Sequence, residues 1–502
     1  MVTVTNYYTR LKVSRDATQD EIRSAYFEAA RRLHPDTNES PDASEQFIKV
    51  QEAYDVLSNP DKRKIYDDNL DFTEPIEPEA SINVIYSQAG LPRLREPQLF
   101  YALFRLTSTG DLPVHAVPPL NVCLVLDRST SMMGTRMDMV KTNAIQILRQ
   151  IRPEDYFSIV VFSDRAETLI PSGHLVDIPK AESEISLLKT GGGTEIYQGL
   201  VQGVNELKKV SRANLINHLI LLTDGRTYGD DEACLKLAED AAYEGISFST
   251  LGIGHEYNDA FLDELASCSG GGSMHISAPK DLHQYLEDKF KGLGRVYAEN
   301  VTLELQLNED VELKYAFRLQ PELGYLGNEF PLRLGDLQYT KDLTFILEIL
   351  VKQLPEESDE MQIGSGRITM LIPSRSVPHA RFRLAISRPI SDEVDVEPPK
   401  SSILRAMSTL TLYRLQERAR GEVMRGDISS ATRHLEFLAT NLLSQGEQEL
   451  AQSVLKEAEH LQNARQYNQE ADKKIKYGTR ALLLPASSDK VDNETMPEMP
   501  TP

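Results

Sequence analysis

Three loops in the middle of the chain carry oxygen-bearing side chains at spacings that could hold a metal ion. The side chains are Asp127, Ser129, Ser131, Thr194 and Asp224. Carboxylate and hydroxyl oxygens, without histidine or cysteine, select a hard cation: Mg²⁺ first, with Mn²⁺ or Ca²⁺ also compatible. Two carboxylates balance a divalent ion, and three hydroxyls add no charge. A sixth position is then left for water or for an acidic side chain of a partner.

Apolar runs that alternate with helical periods must position these side chains. The runs lie at 120–126, 157–162, 218–223 and 246–253, and helical stretches lie between them. Such alternation predicts an α/β doubly wound parallel sheet, which binds ligands at the carboxyl ends of its strands. The three loops would meet at that edge. Any one of them alone is also what ordinary helix caps and turns use.

The three loops, in this order, are typical of a known domain. The segments are LVLDRSTSMMG (124–134), GGGTEI (191–196), LLTDG (221–225) and LGIG (251–254). Together they resemble the Rossmann-like von Willebrand factor A (vWA) domain with its metal-ion-dependent adhesion site. The resemblance implies that all five oxygen ligands are kept and that the metal recruits a protein partner.

The first seventy residues show two amphipathic helical patterns joined by a turn that contains His34, Pro35 and Asp36. Around the turn stand the segments YY (7–8), DEIRSAY (20–26), ARRLHPD (30–36) and EAYDVLSNPDKRKIYD (52–67). This ordered set resembles the all-α J-domain of Hsp70 co-chaperones along its whole length. The resemblance implies that the His-Pro-Asp turn stimulates ATP hydrolysis by a DnaK-like Hsp70.

The same resemblance places Hsp70 docking on basic residues of the preceding helix, which here are Arg23, Arg31 and Arg32. Relatives carry more basic residues on that helix, where this chain has Ser24, Phe27 and Glu28. A smaller positive charge reduces steering toward an acidic surface, so we expect weak or selective Hsp70 binding. The Gly/Phe-rich region and zinc module of general-purpose co-chaperones are missing from the sequence, so client choice must come from the rest of the chain.

Outside these two segments the chain alternates strand and helix patterns. Period-two alternation on both sides of the α/β segment predicts one antiparallel β-sandwich into which that segment is inserted. The helical stretch downstream predicts two or three antiparallel helices that pack on the sandwich or, alternatively, bind a partner. The predicted organisation is multidomain, with a J-domain (1–70), a linker (71–80), early sandwich strands (81–118), a vWA domain (119–299), late sandwich strands (300–392), C-terminal α-helices (401–480) and a disordered tail (485–502).

Composition argues against several classes of function. The 502 residues carry a net charge of −22, which disfavours nucleic-acid and anionic-membrane binding. No apolar run approaches the length of a membrane span, which needs about 20 residues, and no signal-peptide pattern opens the sequence. Three widely spaced cysteines fit a reducing cytoplasm. The sequence lacks a GxxxxGK[ST] phosphate loop, and Ser129 has no histidine base in its motif, so we do not expect an enzyme.

These features favour a cytoplasmic Hsp70 co-chaperone that also recruits a protein through a divalent-metal-dependent vWA site. The partner would be a protein, not yet identified, that presents an acidic residue to the metal. Two alternatives remain open: a metal-dependent scaffold of a macromolecular complex, and a regulatory vWA subunit of an AAA+ ATPase.

The first prediction concerns the turn. We expect His34→Gln to abolish stimulation of Hsp70 ATP turnover and to leave the thermal midpoint unchanged, because an exposed turn residue contributes little stability. A steady-state ATPase assay with the Hsp70 of the same organism measures the first effect and a thermal melt the second. Stimulation equal to that of the parent would refute the co-chaperone assignment.

Overall fold

The computed structural model describes most of the chain from Pro78 onward and a smaller part of the preceding residues. Described are Leu11, Val13, residues 17–33, 47, 50, 51, 53, 54, 56–58, 63 and 78–483, with gaps at 111–117, 211–214, 226–228, 255, 357, 376–378, 392–398 and 466–467. The chain divides into two units, Met1–Glu77 and Pro78–Pro502. The linker was predicted at 71–80: residues 71–77 fall outside the described residues, and Ala80 already belongs to a strand. The predicted disordered tail at 485–502 also falls outside the described residues.

The first unit contains helix α1, Gln19–Leu33. Its predicted apolar stripe is present, because Ile22 and Ala29 are buried and Tyr26 is half-buried. They pack in one cluster with residues of the second helical pattern, and the rings of Tyr26 and Tyr54 stack with centroids 4.1 Å apart. The helical prediction for this unit is therefore confirmed at the described positions.

Two five-stranded sheets form a β-sandwich in the second unit. The strands are β1 (Ala80–Tyr86), β2 (Leu91–Pro92), β3 (Gln98–Ser108), β10 (Val296–Leu307), β11 (Val311–Gln320), β12 (Gly324–Gly327), β13 (Leu332–Gln338), β14 (Leu343–Val351), β15 (Glu360–Leu371) and β16 (His379–Ser391). Their orders are β1-β3-β14-β11-β12 and β13-β10-β15-β16-β2. All pairs are antiparallel except β16 with β2.

Strands from before and after the α/β segment pair directly in this sandwich. Strand β3 pairs with β14 from Leu106↔Leu343 to Gln98↔Val351. The rings of Phe104 and Phe345 stack with centroids 4.8 Å apart inside the shared core. The insertion predicted from the sequence is therefore confirmed: neither group of strands can complete the sandwich without the other.

The inserted α/β domain has a six-stranded sheet with helices on both faces. Its strands are β4 (Leu120–Asp127), β5 (Tyr156–Phe162), β6 (Ala166–Gly173), β7 (Ile216–Thr223), β8 (Ile246–Ile253) and β9 (Ser273–Ile276). Its helices are α2 (Thr135–Leu148), α3 (Ile178–Ser186), α4 (Ile196–Lys208), α5 (Asp231–Tyr243), α6 (Asp259–Ser267) and α7 (Pro279–Leu293). Two separate apolar clusters, one on each face, confirm the doubly wound arrangement.

The prediction of a purely parallel sheet needs a correction. The order is β6-β5-β4-β7-β8-β9, and the edge strand β6 runs antiparallel to β5. Only residues 163–165 join β5 to β6, which is too short for the crossover that a parallel neighbour requires. Strand β6 is only partly buried, so it lacks the continuous apolar run that marks the four predicted strands.

A fully buried arginine joins the α/β domain to the sandwich. On β11, the Arg318 guanidinium donates Nη1–H to the carbonyl of Gly270, at 2.7 Å, and Nη2–H to that of Gly271, both in the loop before β9. Lys289 of α7 pairs with Glu322 at 2.9 Å, close to the same arginine. Burial lowers the pKa of Arg318, and the charge of Glu322 partly offsets that effect. A buried charge satisfied in this way fixes the relative placement of the two domains.

Four helices, rather than two or three, complete the second unit. They are α8 (Ser401–Met424), α9 (Ile428–Ser444), α10 (Gln448–Ala464) and α11 (Gln469–Leu483). Ile403, Leu410 and Tyr413 of α8 pack against the outer face of the sandwich, which confirms the packing role. Within the described ranges, no helix combines the length and the apolar character needed to cross a lipid bilayer.

Helix α11 also binds the α/β domain, through charges rather than through an apolar stripe. Lys476 is almost fully buried and lies 2.7 Å from Asp263 on α6, and Arg480 lies 2.6 Å from the same carboxylate. Lys476 also pairs with Asp259, which lies 2.6 Å from Arg420 of α8. Burial alone would raise the pKa of Asp263, but Arg480 and Lys476 outweigh it and hold that pKa at about 2.

This ionic contact predicts an acid-sensitive contribution to stability. Because the folded pKa of Asp263 lies below its unfolded value of about 3.9, its contribution is complete above that value and is lost as the pH falls toward 2. We expect Asp263→Asn to cost about 3 kcal/mol at pH 7, because it leaves buried Lys476 and Arg480 underpaired. The difference in thermal midpoint between parent and variant should then shrink between pH 4 and 2.5.

The matched control is Glu436→Gln, which neutralises an exposed carboxylate on α9. That variant should melt with the parent at every pH. A midpoint difference for Asp263→Asn that stays constant from pH 7 to 2.5 would show that the carboxylate contributes through its shape rather than its charge.

The interleaved sandwich predicts that residues 300–392 cannot fold when expressed alone, because β14 would lose β3 as its neighbour. We expect a fragment of 300–392 to aggregate or to give collapsed amide spectra, whereas the full chain gives dispersed ones. A well-dispersed spectrum from the isolated fragment would contradict the insertion.

Candidate metal site

The pairing of two central strands brings both predicted carboxylates to one edge of the sheet. Strands β4 and β7 are parallel neighbours, with Leu126 opposite Leu222. Asp127 is the last residue of β4, and Asp224 follows the last residue of β7. Both lie at the carboxyl edge predicted from the sequence, and both are fully buried.

Asp127 is held in place by neutral donors. Its Oδ1 accepts a hydrogen bond from the backbone N–H of Ser129 at 2.8 Å, and its Oδ2 accepts one from the Thr223 hydroxyl at 2.5 Å. Burial raises the pKa of Asp127 and the charge of Asp224 adds to the increase, while these hydrogen bonds oppose it. The environment therefore favours a compensating cation near the two carboxylates.

The two serines connect the first loop to Asp224. A short 3₁₀ helix, Thr130–Met132, turns the chain directly after Ser129. The Ser129 and Ser131 hydroxyl oxygens are 3.0 Å apart, and the Ser131 hydroxyl donates to Asp224 Oδ1 at 2.7 Å. Ser129 is buried, whereas Ser131 is exposed and marks the side of the site that faces solvent.

Thr194 reaches the same place from the glycine loop. The Gly191 N–H donates to the Arg128 carbonyl at 2.8 Å, and the Thr130 N–H donates to the Gly192 carbonyl at 3.1 Å. These two backbone hydrogen bonds join the glycine loop to the loop that follows β4. Thr194 is buried, and a Cβ atom built on Gly225 would lie 2.9 Å from its hydroxyl oxygen. The Thr194 hydroxyl therefore lies beside the backbone that carries Asp224.

The structure thus brings all five predicted residues together, and their chemistry fits a hard cation. Within the described part of the chain, no group of three or more His, Cys, Asp or Glu side chains could hold a metal ion. Any ion here would depend on the hydroxyls of Ser129, Ser131 and Thr194 as much as on the two carboxylates. Such an all-oxygen donor set suits Mg²⁺ or Mn²⁺.

Sequence reasoning missed one charged residue at this site, Arg136. Its guanidinium pairs with Oδ2 of Asp224 and donates to the Ser131 carbonyl at 3.3 Å. Arg136 lies in the first turn of α2, where the helix dipole disfavours a positive charge. A basic residue at that position is a sequence signal for a nearby compensating carboxylate.

Two other reactive residue types in this domain are structural. His218 is buried on β7, where its Nε2 lies 2.9 Å from the Ser249 hydroxyl, as expected for a core histidine. Burial, with a smaller effect of Lys289, keeps its pKa well below the ordinary value. Burial also raises the pKa of the Cys123 thiol to about 12, which makes this thiol a poor nucleophile.

The predicted Hsp70-stimulating residues His34, Pro35 and Asp36 lie outside the described residues. Of the predicted docking residues, Arg31 and Arg32 belong to α1, but their side chains also lie outside. Arg23 is described: it is exposed, and its guanidinium carbon lies 5.9 Å from the centroid of the exposed Phe27 ring.

Comparison with known families supports the domain assignments. Residues 6–67 match the DnaJ domain, residues 121–290 match the von Willebrand factor type A domain, and residues 401–485 match the Sll0103-like C-terminal alpha-helical domain. The chain therefore carries a DnaJ domain followed by a von Willebrand factor A domain.

Individual relatives match different parts of the chain. The protein sll0103 of Synechocystis sp. is 28% identical over 382 residues, which cover 74% of this chain and 90% of that protein. Chaperone protein DnaJ 2 of Thermus thermophilus is 56% identical over 62 residues, which cover 12% of this chain but only 22% of that protein. The von Willebrand factor type A structure from Catenulispora acidiphila aligns with a TM-score of 0.63 at 15% identity and covers 81% of this chain and 97% of its own. At that identity the alignment shows a shared fold.

Proposed function

We propose that this protein is a non-enzymatic cytoplasmic adaptor that couples an Hsp70 partner to a second protein bound through a divalent metal. The observation that carries the proposal is the convergence of five oxygen-bearing residues at one sheet edge, in a chain that also carries a DnaJ domain. One domain would supply chaperone recruitment and the other would supply the choice of client.

The chaperone half is supported by the DnaJ match and by the exposed Arg23 on α1. His34, Pro35 and Asp36 would stimulate ATP hydrolysis by the Hsp70, and Arg23, Arg31 and Arg32 would dock on its acidic surface. Phe27, 57% exposed, occupies surface on the same helix without contributing charge. Docking would therefore depend on fewer charges, and it would be weaker and less sensitive to salt than docking by a strongly basic helix.

The metal half is supported by the burial and orientation of the ligands. Asp127 and Asp224 would bring the negative charge, and the hydroxyls of Ser129, Ser131 and Thr194 the remaining oxygens. Because Ser131 is exposed while both carboxylates are buried, a bound ion would be reachable from one side only. An acidic side chain of the partner would complete the coordination from that side, as Mg²⁺ prefers six oxygens.

The test replaces a ligand. We expect Asp127→Ala to weaken Mg²⁺ binding more than about 100-fold, because a single carboxylate would then face a divalent ion. Loss of a residue that only hydrogen-bonds a metal ligand already weakens binding roughly 10- to 100-fold. Isothermal titration of Mg²⁺ into the full chain measures this effect. Stimulation of Hsp70 ATP turnover by the same variant should be unchanged, since the DnaJ domain belongs to a separate unit.

Asp138→Ala is the matched control, because Asp138 is an exposed carboxylate in the first turn of α2. It should bind Mg²⁺ as the parent does. Equal Mg²⁺ affinity in the parent and in Asp127→Ala would mean that the five residues serve as ordinary helix caps and turn residues and form no metal site. A partner protein that stays bound in EDTA would show that partner binding does not require the metal.

A further inference from the structure

The guanidinium of Arg136 lies between Asp224 and Gly254 at the candidate metal site. It pairs with Asp224, whose side chain is 0% exposed, while the arginine itself is 32% exposed. On its other side it lies against Gly254, the residue after β8, where a Cβ atom would lie 3.0 Å from Nη2. Gly254 has φ of +74°, a conformation that other residues rarely adopt. The fold thus leaves room for the arginine between a buried carboxylate and a glycine.

The charges at the site set up a competition. Asp127 accepts its hydrogen bonds from the neutral groups of Ser129 and Thr223, whereas Asp224 accepts one from the Ser131 hydroxyl and pairs with the cationic Arg136. Two carboxylates and one guanidinium leave a single net negative charge for an incoming divalent ion. A divalent ion at the five oxygens would also lie close to the positive guanidinium, and at such separations like charges repel strongly.

We propose that Arg136 is a built-in counter-ion that holds Asp224 in the metal-free protein and competes with the divalent cation for it. This inference rests on the proposed metal function of the same site. Binding of the ion and pairing of Arg136 with Asp224 oppose each other, so each weakens the other by the same factor. The site would therefore bind Mg²⁺ reversibly and more weakly than its five oxygens alone would allow.

The experiment removes the charge and keeps a hydrogen-bond donor. In the full chain, Arg136→Gln should bind Mg²⁺ about tenfold more tightly than the parent by isothermal titration, because one opposing charge is gone. Without metal the same variant should melt at a lower temperature, because Asp224 is left buried without a cation. Added Mg²⁺ should then raise its thermal midpoint by more than it raises that of the parent.

Two control variants separate the charge of Arg136 from other effects of substitution. Arg136→Lys keeps the charge and should bind Mg²⁺ with an affinity close to that of the parent. Arg149→Gln removes the same charge just after the other end of α2, where the arginine is 62% exposed and pairs with Glu182. It should leave Mg²⁺ affinity unchanged.

The outcomes distinguish the inference from the function on which it rests. Equal Mg²⁺ affinity in the parent and in Arg136→Gln overturns the counter-ion role while leaving the metal site intact. Binding by Arg136→Gln but not by the parent supports the competition and contradicts the proposed function of the natural chain. No binding by the parent or by any variant contradicts the metal site itself and, with it, the competition.

Discussion

Two carboxylates with no access to solvent, at the ends of adjacent parallel strands, are the constraint around which the candidate site is built. Two buried carboxylates at such a place need hydrogen bonds or positive charge to compensate for the water they have lost. The structure supplies part of this compensation with hydrogen bonds from Thr223, Ser129 and Ser131, and part with the charge of Arg136. The remaining negative charge would favour the divalent cation that we propose at this site.

The rest of the second unit contacts the α/β domain at two places. The β-sandwich receives the α/β domain between its early and late strands, and Arg318 bonds to the loop before β9. The C-terminal helices bind α6, which follows β8 after a short loop that contains Gly254 and Tyr257. Lys473 donates to the Tyr257 carbonyl at 2.8 Å, and Gly254 contacts Arg136. The C-terminal helices and the candidate site are thus linked through one short loop.

The sequence predicts those parts of the structure in which a residue type has a single structural meaning, such as an apolar run that forms a buried strand. Continuous apolar runs predicted the four central strands, because parallel strands buried on both faces need them. Asp127, Ser129, Ser131 and Asp224 were predictable because they stand at or just after the ends of two central strands. Thr194 lies in the loop before α4, and the GGGT segment that contains it identified it. Helix α11 was harder to predict as a separate packing element, because its buried face carries Lys473 and Lys476 as well as Ile475. Its sequence therefore resembles that of a solvent-exposed helix. Arg136 was missed because a cation is not a metal ligand, although its unfavourable place in the first turn of α2 was an indirect signal of a nearby carboxylate.

The most direct test of the account is a crystal structure of the full chain grown with saturating Mn²⁺, with diffraction data collected at the manganese absorption edge. We expect an anomalous difference peak at the carboxyl edge of β4 and β7, within coordination distance of protein oxygens drawn from the five residues. We also expect Arg136 to have moved away from Asp224. A map without a peak at this edge, with Arg136 still paired to Asp224, would contradict the account.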